Sequence, residues 1–450
     1  MASTFLSRTP SVAGDRRTHT FSFWYKRTGI SDQYAHFYTT SVDLLGLYNN
    51  GLFFNFNGNV SGGYAFDNNL LRDPSAWYHI VCAIDTTNAT ANDRLKLYLN
   101  GERLTPSYIN NPSQNYESGI NNTQIQVIGK RQSNNDRFLN GILAHFHFID
   151  GTAYDASAFG QTDATTGIWR PKVSPSVTYG TNGFFLKFAS SGSMGTDSSG
   201  NGNNFTIGAG NLTQTQDTPT NNFMTLNPLA KASIAGNPYN GNLTHIGQTS
   251  GYPQTVLGTL SWQGGSGKWY WEMKQGGSPS GNYGFVRTDK LDGTNGVGNI
   301  VQTTSSTPTE CIQYDWAWGV NPSNGNKRHD GSNDAYGSGL SSGDIGMVAV
   351  DTVAGKAWWG KNGTWFNSGD PASGTNPAFT DSDITEGVFT IYSIVSDTDS
   401  RSKSYNFGNG YFGTTAVSSA NSDGGGIGLF EYEVPSGYYA LCTKNINTYG

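Results

Sequence analysis

Alternating apolar and polar positions mark the first predicted hairpin of the chain. Segment 94–99 reads Arg-Leu-Lys-Leu-Tyr-Leu, and this period of two places its leucines on one face of a strand. The preceding run Trp77–Asp85 is mostly apolar and suits the middle of a sheet. Segment 94–99 is followed directly by Asn100–Gly101, a pair that favours a tight turn in which both residues have positive φ. The pattern predicts an antiparallel hairpin.

The same pattern returns in the second half of the chain. Segment 267–274 alternates strongly, and the run 343–351 has the composition of a central strand. A further strand, 356–360, leads into Asn362–Gly363, a second turn of the same kind. The repeated order indicates two copies of one architecture that have diverged in sequence.

The fold class follows from the spacing of these segments. No long segment carries a 3.6-residue apolar period, so we expect few and short helices. Many short strands separated by Gly, Asn and Ser turns favour antiparallel sandwiches or jelly rolls. We therefore predict an all-β chain with two antiparallel β-sandwiches of the sandwich or jelly-roll type, 1–171 and 240–413. A Gly/Ser/Asn-rich connector, 172–239, would join them, and 414–450 would form a tail.

Composition limits the possible partners. Charged residues and aromatic residues each make up 13% of the chain, so low charge here accompanies ample apolar area for packed cores. The net charge is −6 and no run of Lys or Arg occurs, so we expect no nucleic-acid partner. No stretch approaches the roughly 20 apolar residues of a membrane span, so we expect no membrane insertion.

Cysteine spacing and the first residues bear on the compartment. Cys82, Cys311 and Cys442 lie far apart and are odd in number, so neither a disulfide framework nor a zinc site is expected. Cys82 lies in the run Ile-Val-Cys-Ala-Ile and is predicted to be a small buried hydrophobe. The first ten residues carry no apolar segment typical of a signal peptide, which indicates synthesis in a cytoplasm without a secretion signal.

Several sequence blocks resemble known families. The first region is similar to laminin-G/pentraxin-type domains in FSFWYKR, RDPSAWYHIVCAIDTT, DRLKLYLNGERL and FLNGILAHFHFIDG. The second region resembles SPRY domains in SGKWYWEMK, GDIGMVAVDTVAGKAWWGKNGTWF and SYNFGNGYF. Together these two resemblances imply that both predicted sandwiches are concanavalin-A-like. The linking phrases resemble virion proteins of marine and cyanobacterial phages, among them FIDGTAYDASAFGQTDATTGIWRPK, GTDSSGNGNNFT and PSGYYALCT.

This resemblance implies a place in a bacteriophage particle. We expect a virion structural protein, in a tail fibre or similar appendage, that contacts a host glycan or receptor. Its partners would be other virion proteins, and family analogy suggests a homotrimer. A capsid decoration or head-fibre protein is one alternative. A polysaccharide-degrading spike is another.

Candidate catalytic and metal-binding groups are sparse. Glycan hydrolysis needs two carboxyl groups about 5–9.5 Å apart, and no E-x-D-x-x-E pattern occurs, so we expect no enzyme activity. Glu272 is predicted to be a solvated carboxylate on a sheet face. His145 and His147 alternate on one strand without an evident third ligand, so no metal centre or cofactor is expected. The acids Asp381–Asp383 and Asp397–Asp399 leave open a structural Ca²⁺ ion, with solvated turns as the alternative.

Sugar binding would use exposed aromatic rings beside polar side chains. Most tryptophans fall within strand patterns and are predicted to be core residues. The loop 321–339 offers Arg328, His329, Asp330 and Tyr336, and Trp365 borders a turn nearby in sequence. These five residues are the predicted ligand-binding set. An ordinary surface loop is the other interpretation.

Overall fold

A computed structural model describes residues 4–30, 34–49, 51–56, 63–65, 71–107, 110–210, 212–232, 235–248, 253–291, 314–396 and 401–450. Its contacts divide the chain into two compact units, Met1–Gln214 and Thr215–Gly450. Cys311 and the acids 397–399 lie outside the described residues. No helix in the part that the structure describes is long and apolar enough to span a membrane.

The first unit is built from fifteen described strands: β1 Leu6–Arg8, β2 Thr18–Arg27, β3 Tyr34–Thr39, β4 Leu44–Tyr48, β5 Gly51–Asn55, β6 Gly63–Ala65, β7 Trp77–Asp85, β8 Leu95–Leu99, β9 Glu102–Arg103, β10 Gln126–Ile128, β11 Gly141–Asp150, β12 Gly160–Thr162, β13 Trp169–Pro171, β14 Phe184–Leu186 and β15 Thr206–Ile207. One sheet has the order β15-β1-β10-β3-β4-β5-β6, a second has β14-β11-β2-β7-β8-β9, and β12 pairs with β13. Short 3-10 turns lie at Ala91–Asp93, Ala156–Ala158 and Ser191–Ser193.

Strand alternation builds the core of the first unit. Phe21, Phe23 and Tyr25 of β2 belong to the buried apolar cluster of this sandwich. Between them, Ser22 and Trp24 face the opposite side of the sheet, because successive strand side chains alternate. Cys82 of β7 lies in the same core and is fully buried, which confirms the sequence prediction for this residue.

The second unit contains β16 Leu226–Lys231, β17 Thr244–Ile246, β18 Pro253–Gly258, β19 Trp262–Gln263, β20 Lys268–Gly276, β21 Tyr283–Arg287, β22 Ala317–Val320, β23 Lys327–His329, β24 Ser332–Asp334, β25 Ile345–Asp351, β26 Lys356–Lys361, β27 Thr364–Trp365, β28 Phe379–Thr380, β29 Val388–Ser396, β30 Ser402–Asn406, β31 Tyr411–Phe412, β32 Thr415–Ala416 and β33 Tyr439–Ala440. Helix α1 spans Thr443–Tyr449, and 3-10 turns lie at Thr288–Lys290, Phe366–Ser368 and Ser382–Thr385.

Two larger sheets form the second sandwich. One runs β16-β18-β29-β21-β22-β23-β24, with β19 beside β29. The other runs β17-β30-β20-β25-β26-β27, with β28 beside β26 and β33 beside β20. Strand β33 is parallel to β20, whereas the other pairings of these two sheets are antiparallel. Five tryptophans fill the interior between the sheets: Trp262, Trp269, Trp271, Trp318 and Trp359. Trp358 is buried on the opposite, outer face of β26.

The two Asn-Gly turns form as the sequence predicts. Asn100 and Gly101 have φ of 50° and 91°, and Asn362 and Gly363 have φ of 48° and 84°. The side chain of each asparagine also adds one hydrogen bond beyond the end of the strand ladder, to the main chain of the neighbouring strand. Asn100 Oδ1 accepts a hydrogen bond from the His79 N–H at 2.8 Å, and Asn362 Oδ1 accepts one from the Ile345 N–H at 2.8 Å. The predicted all-β class with concanavalin-A-like sandwiches is confirmed.

The unit boundary differs from the predicted connector. Strands β14 and β15 pair with β11 and β1 of the first unit, and β16 pairs with β18 of the second. The predicted connector 172–239 is therefore divided between the units at residue 214. The predicted tail 414–450 contributes β33 and packs on the second unit, because its scattered apolar residues find partners on an outer sheet face.

Candidate functional site

Part of the predicted binding loop, 321–339, forms a hairpin of β23 and β24. This hairpin lies at the edge of the sheet whose other end is β16. Strands β23 and β24 pair through Arg328↔Asn333 and His329↔Ser332. Asp330 and Gly331 form the turn, with φ of 47° and 71°. An Asp-Gly pair suits this turn for the same reason as the Asn-Gly pairs, since both positions require positive φ.

His329 is held by packing and hydrogen bonds. Its ring stacks on Trp318 at a centroid distance of 5.1 Å and an interplanar angle of 13°. Nδ1 lies 3.0 Å from the carbonyl oxygen of Ala317, and Nε2 lies 3.3 Å from Asp381 Oδ2. Asp381 Oδ2 also accepts a hydrogen bond from Trp318 Nε1 at 3.0 Å. Both ring nitrogens of His329 therefore have protein partners.

The other predicted residues do not converge with His329 on one surface. Tyr336 packs against the sandwich core, edge-on to Phe366 at 6.0 Å, and its burial raises the pKa of the phenol. Trp365 lies 6.3 Å from Tyr270 and joins a different apolar cluster, on the outer face of β20 and β26. Asp330 is exposed at its turn, and Arg328 is half-buried beside β22. The structure thus uses Tyr336 and Trp365 for packing.

A surface cavity in the first unit brings together polar groups that sequence reasoning did not single out. Its volume is about 210 Å³, and it lies beside β7, β8 and the segment that precedes β12. The lining residues are Ala83, Asp85, Asp93, Lys96, Tyr98, Ala153 and Asp155. Lys96 and Tyr98 occupy the outward positions of the alternating strand β8, so the period of two could have identified them. Asp85 and Asp93 lie at the two ends of the β7–β8 connection, and the fold brings Asp155, from the turn before β12, beside them.

The carboxylates of this cavity keep unused acceptor atoms. Asp85 Oδ1 accepts from the Thr87 N–H, and Asp155 Oδ1 accepts from the Ser157 N–H. Among the described residues, no hydrogen bond reaches Oδ2 of Asp85 or of Asp155. Each of these oxygens can therefore accept a hydrogen bond from a ligand.

Charged and aromatic groups complete the lining. Asp93 pairs with Arg103 at 2.9 Å and lies 3.7 Å from Lys96 Nζ. Partial burial and the nearby Asp155 and Asp93 raise the pKa of Tyr98, which keeps its hydroxyl protonated and able to donate. A ring, several acceptors and an ammonium donor suit a ligand rich in hydroxyl groups.

Glu272 on β20 was predicted to be a solvated carboxylate, but the structure places it out of contact with solvent. The side chain is fully buried. It accepts hydrogen bonds from Tyr270 Oη at 3.0 Å, from Asn406 Nδ2 at 3.1 Å and from the N–H groups of Glu431 and Tyr432 at 3.0 and 2.8 Å. Burial raises its pKa to about 7, against the lowering effect of these hydrogen bonds. The prediction is wrong because residues 427–442 cover this sheet face.

Three histidines of the first unit, His79, His145 and His147, lie on the covered outer face of the six-stranded sheet. Trp169 Nε1 donates to His79 Nδ1 at 2.9 Å, and His147 Nδ1 lies 2.8 Å from Tyr179 Oη. His145 and His147 both stack near Phe185, at centroid distances of 6.0 and 3.9 Å. Within the described residues, no three His, Cys, Asp or Glu side chains are grouped so as to bind a metal ion.

The acids considered for calcium have other partners where they are described. Asp381 Oδ1 accepts the N–H of Asp383 and so caps the 3-10 turn that follows, while its Oδ2 accepts from Trp318. This geometry is that of a capping carboxylate. Asp397–Asp399 lie outside the described residues.

A family model matches the first part of the chain, in agreement with the sandwich of the first unit. Residues 6–157 match the concanavalin A-like lectin/glucanases superfamily. Among solved structures, the chain is similar to the SPRY domain of human HERC1, at 16% identity and a TM-score of 0.29 over 40% of this chain and 96% of that one. It is also similar to the PSpry domain of TRIM65, at 14% identity and a TM-score of 0.30 over 41% of this chain and 88% of that one. No curated protein matches the chain.

Proposed function

We propose that this chain is a non-catalytic structural component of a bacteriophage particle, in a tail fibre or similar appendage, and that it binds glycans of the host surface. The observation that carries the glycan part is a lectin-type sandwich, residues 6–157, with a polar cavity beside its six-stranded sheet. The phage part is supported by the linking phrases that resemble phage virion proteins.

The groups of the cavity favour binding of neutral or amino sugars over acidic ones. Three carboxylates face one lysine, and Arg103 pairs with one of the three. Sugar hydroxyls can donate to the free oxygens of Asp85 and Asp155, and the Tyr98 ring offers an apolar surface for a sugar face. An anionic sugar would meet like charges at short range, which disfavours its binding.

The placement of Glu272 supports a non-catalytic role. A glycosidase acid has a raised pKa and must reach the glycosidic oxygen, with a second carboxyl group about 5–9.5 Å away. Glu272 has the raised pKa, but it is fully buried and four hydrogen bonds from protein groups occupy it. A substrate could reach this carboxyl only if the segment covering it moved away.

A glycan array tests the binding site. The full chain is compared with Tyr98→Ala and Asp155→Asn, and with Tyr239→Ala as a control on an exposed tyrosine of the second unit. We expect neutral glycans to bind the wild type and the control, and both cavity variants to lose at least tenfold in affinity. Binding that survives both cavity variants would place the site elsewhere, and Tyr336→Ala would then test the β23–β24 region.

Two further measurements test the remaining parts of the proposal. A reducing-sugar assay on host polysaccharide should show no turnover, and measured turnover would refute the non-catalytic role. A cryo-electron microscopy map of the particle should place the chain in a tail appendage, as a trimer. Density on the head would instead support the decoration-protein alternative.

A further inference from the structure

An apolar layer covers the outer face of the sheet formed by β20, β25 and β26. Tyr270, Met347, Ala349 and Trp358 project from these strands into the layer. Residues 427–442, here called the strap, cover them with buried apolar side chains. These strap side chains are Phe430, Val434, Tyr438, Ala440 and Cys442.

One carboxyl group lies between the strap and the sheet. Glu272 alternates with Trp271 and Met273 of the sandwich core, so it faces the strap. Two of its four hydrogen-bond donors are the consecutive main-chain N–H groups of Glu431 and Tyr432. Asn406, which also donates to Glu272, donates to the carbonyl oxygen of Leu429 at 2.9 Å. The carboxyl therefore fixes the backbone of the strap over residues 429–432.

The groups around Glu272 supply no compensating positive charge. Facing it are the phenols of Tyr270 and Tyr432. The Glu431 carboxylate accepts from the Ser418 N–H, and Asp344, which acts electrostatically on Tyr432, pairs with Lys361. Lys268 lies over the Tyr438 ring but pairs with Asp351 at 2.8 Å. No described Lys, Arg or His forms an ion pair with Glu272.

We propose that Glu272 is a pH-sensitive latch for the strap: its protonated form favours the docked strap, and its ionised form favours release. An ionised carboxylate in an apolar layer without a cation loses hydration that hydrogen bonds only partly replace. Release of the strap returns the carboxylate to water. Docking is therefore coupled to uptake of one proton, and a rise in pH shifts the strap around residues 429–432 toward release from the sheet face.

Hydrogen–deuterium exchange of the full chain tests this latch. The readout is the protection of the amides of Glu431 and Tyr432 between pH 5 and pH 8, corrected for the intrinsic exchange rate. The docked carboxyl has a pKa of about 7 and its ordinary value is 4.5. We therefore expect strap protection to fall roughly 50- to 100-fold over this range, since one pKa unit is a tenfold change in an equilibrium constant.

Two variants distinguish the latch from general loosening at high pH. Glu272→Gln keeps the shape but cannot ionise, so its protection should not vary with pH. Glu431→Gln changes the neighbouring carboxyl, whose side chain bonds to Ser418 rather than to the layer, and should keep the wild-type pH dependence. A pH dependence that persists in Glu272→Gln would overturn the proposal.

A measurement on the wild type covers the case in which Glu272→Gln does not fold. The Glu272 carboxyl carbon is titrated by NMR in protein labelled with carbon-13 at glutamate. We expect a midpoint near pH 7, with strap protection falling as the pH rises toward this midpoint and levelling off above it. A midpoint below pH 5, or a strap that stays protected while Glu272 ionises, would overturn the latch.

Discussion

The two units cover equivalent sheets in chemically different ways. In each unit, a sheet that contains the Asn-Gly hairpin is covered on its outer face by a later segment of the chain. In the first unit this segment includes Trp169 and Tyr179, which bond to buried histidines. In the second unit it is the strap, which bonds to the buried Glu272. The same architecture thus accepts either neutral bases or a carboxylic acid beneath its cover.

The difference matters because the two kinds of buried group respond to pH in opposite directions. Burial lowers the pKa of His79 to about 3, and burial raises the pKa of Glu272 to about 7. Both shifts keep the buried group neutral, since the charged form is the one that burial disfavours. A pH change that stabilises one cover therefore weakens the other.

Removing one aromatic ring from each cover should have the largest effect. Phe430 and Phe159 are both buried, in the strap and in the cover of the first unit. We expect Phe430→Ala and Phe159→Ala each to cost about 3–5 kcal/mol of the stability of its own unit. Scanning calorimetry should show one transition lowered and the other unchanged. Two transitions that fall together would show that the covers are not independent.

Glu272 and the buried histidines should contribute to the pH dependence of stability with opposite signs. The second unit also holds a buried histidine, His245, whose pKa burial lowers to about 3, so the contribution of Glu272 is measured against a variant that cannot ionise there. Below its ordinary pKa of 6.5, His79 takes up a proton in the unfolded chain but not in the folded unit. Its contribution to stability is therefore complete above pH 6.5 and is lost as the pH falls toward 3. Glu272 keeps its proton in the folded unit up to about pH 7, so its contribution is complete below pH 4.5 and is lost as the pH rises through 7.

Between pH 4.5 and 6.5 the first unit should therefore gain stability with rising pH from His79, and the second should lose it from Glu272. We expect about 1–3 kcal/mol from each group. Denaturant unfolding at several pH values measures this, with the alanine variants identifying the transitions. Glu272→Gln should remove this pH dependence in the second unit alone. A second-unit transition with the same pH dependence in the wild type and in Glu272→Gln would contradict the comparison.

The hairpin turns should show the smallest effect. Asn100→Gly and Asn362→Gly keep the positive φ but delete the side-chain acceptor of the His79 or Ile345 N–H. Asn362→Gly also removes the hydrogen bond from Asn362 Nδ2 to Asp344 Oδ1 at 2.7 Å. We expect Asn100→Gly to lose about 1 kcal/mol in its own unit, the usual net value of such a hydrogen bond, and Asn362→Gly to lose somewhat more. Urea unfolding curves measure the loss. A much larger loss in one unit would show that its turn also fixes strand register.

The comparison also separates what local patterns predict from what they miss. Strand β8 and both Asn-Gly turns were predicted from the sequence, because a period of two and positive-φ turns depend on neighbouring residues only. The strap was not predicted. Its residues Phe430, Val434 and Tyr438 are four apart, a spacing typical of a helix, but this stretch forms no helix, and their burial depends on a sheet far away in the sequence.

For the candidate sites, too, local sequence suggested some of the residues, and contacts between distant residues decided their surroundings. Loop composition suggested His329 and Tyr336, but neither Trp318 beneath His329 nor Phe366 beside Tyr336 could be inferred from neighbouring residues. The cavity in the first unit joins Asp85 and Asp93 of the β7–β8 connection to Asp155 from the turn before β12. Strand alternation could have identified Lys96 and Tyr98 as outward residues, but not the acids that surround them.

The sequence by itself determined an all-β chain with two sandwiches and two matching hairpins, since turn chemistry and side-chain alternation act over a few residues. Tertiary structure alone decided which outer faces are covered, which carboxyl is buried and which polar groups meet in a cavity. Burial and charge proximity are properties of residues distant in sequence. The environment that makes Glu272 a neutral acid and His79 a neutral base therefore exists only in the folded units.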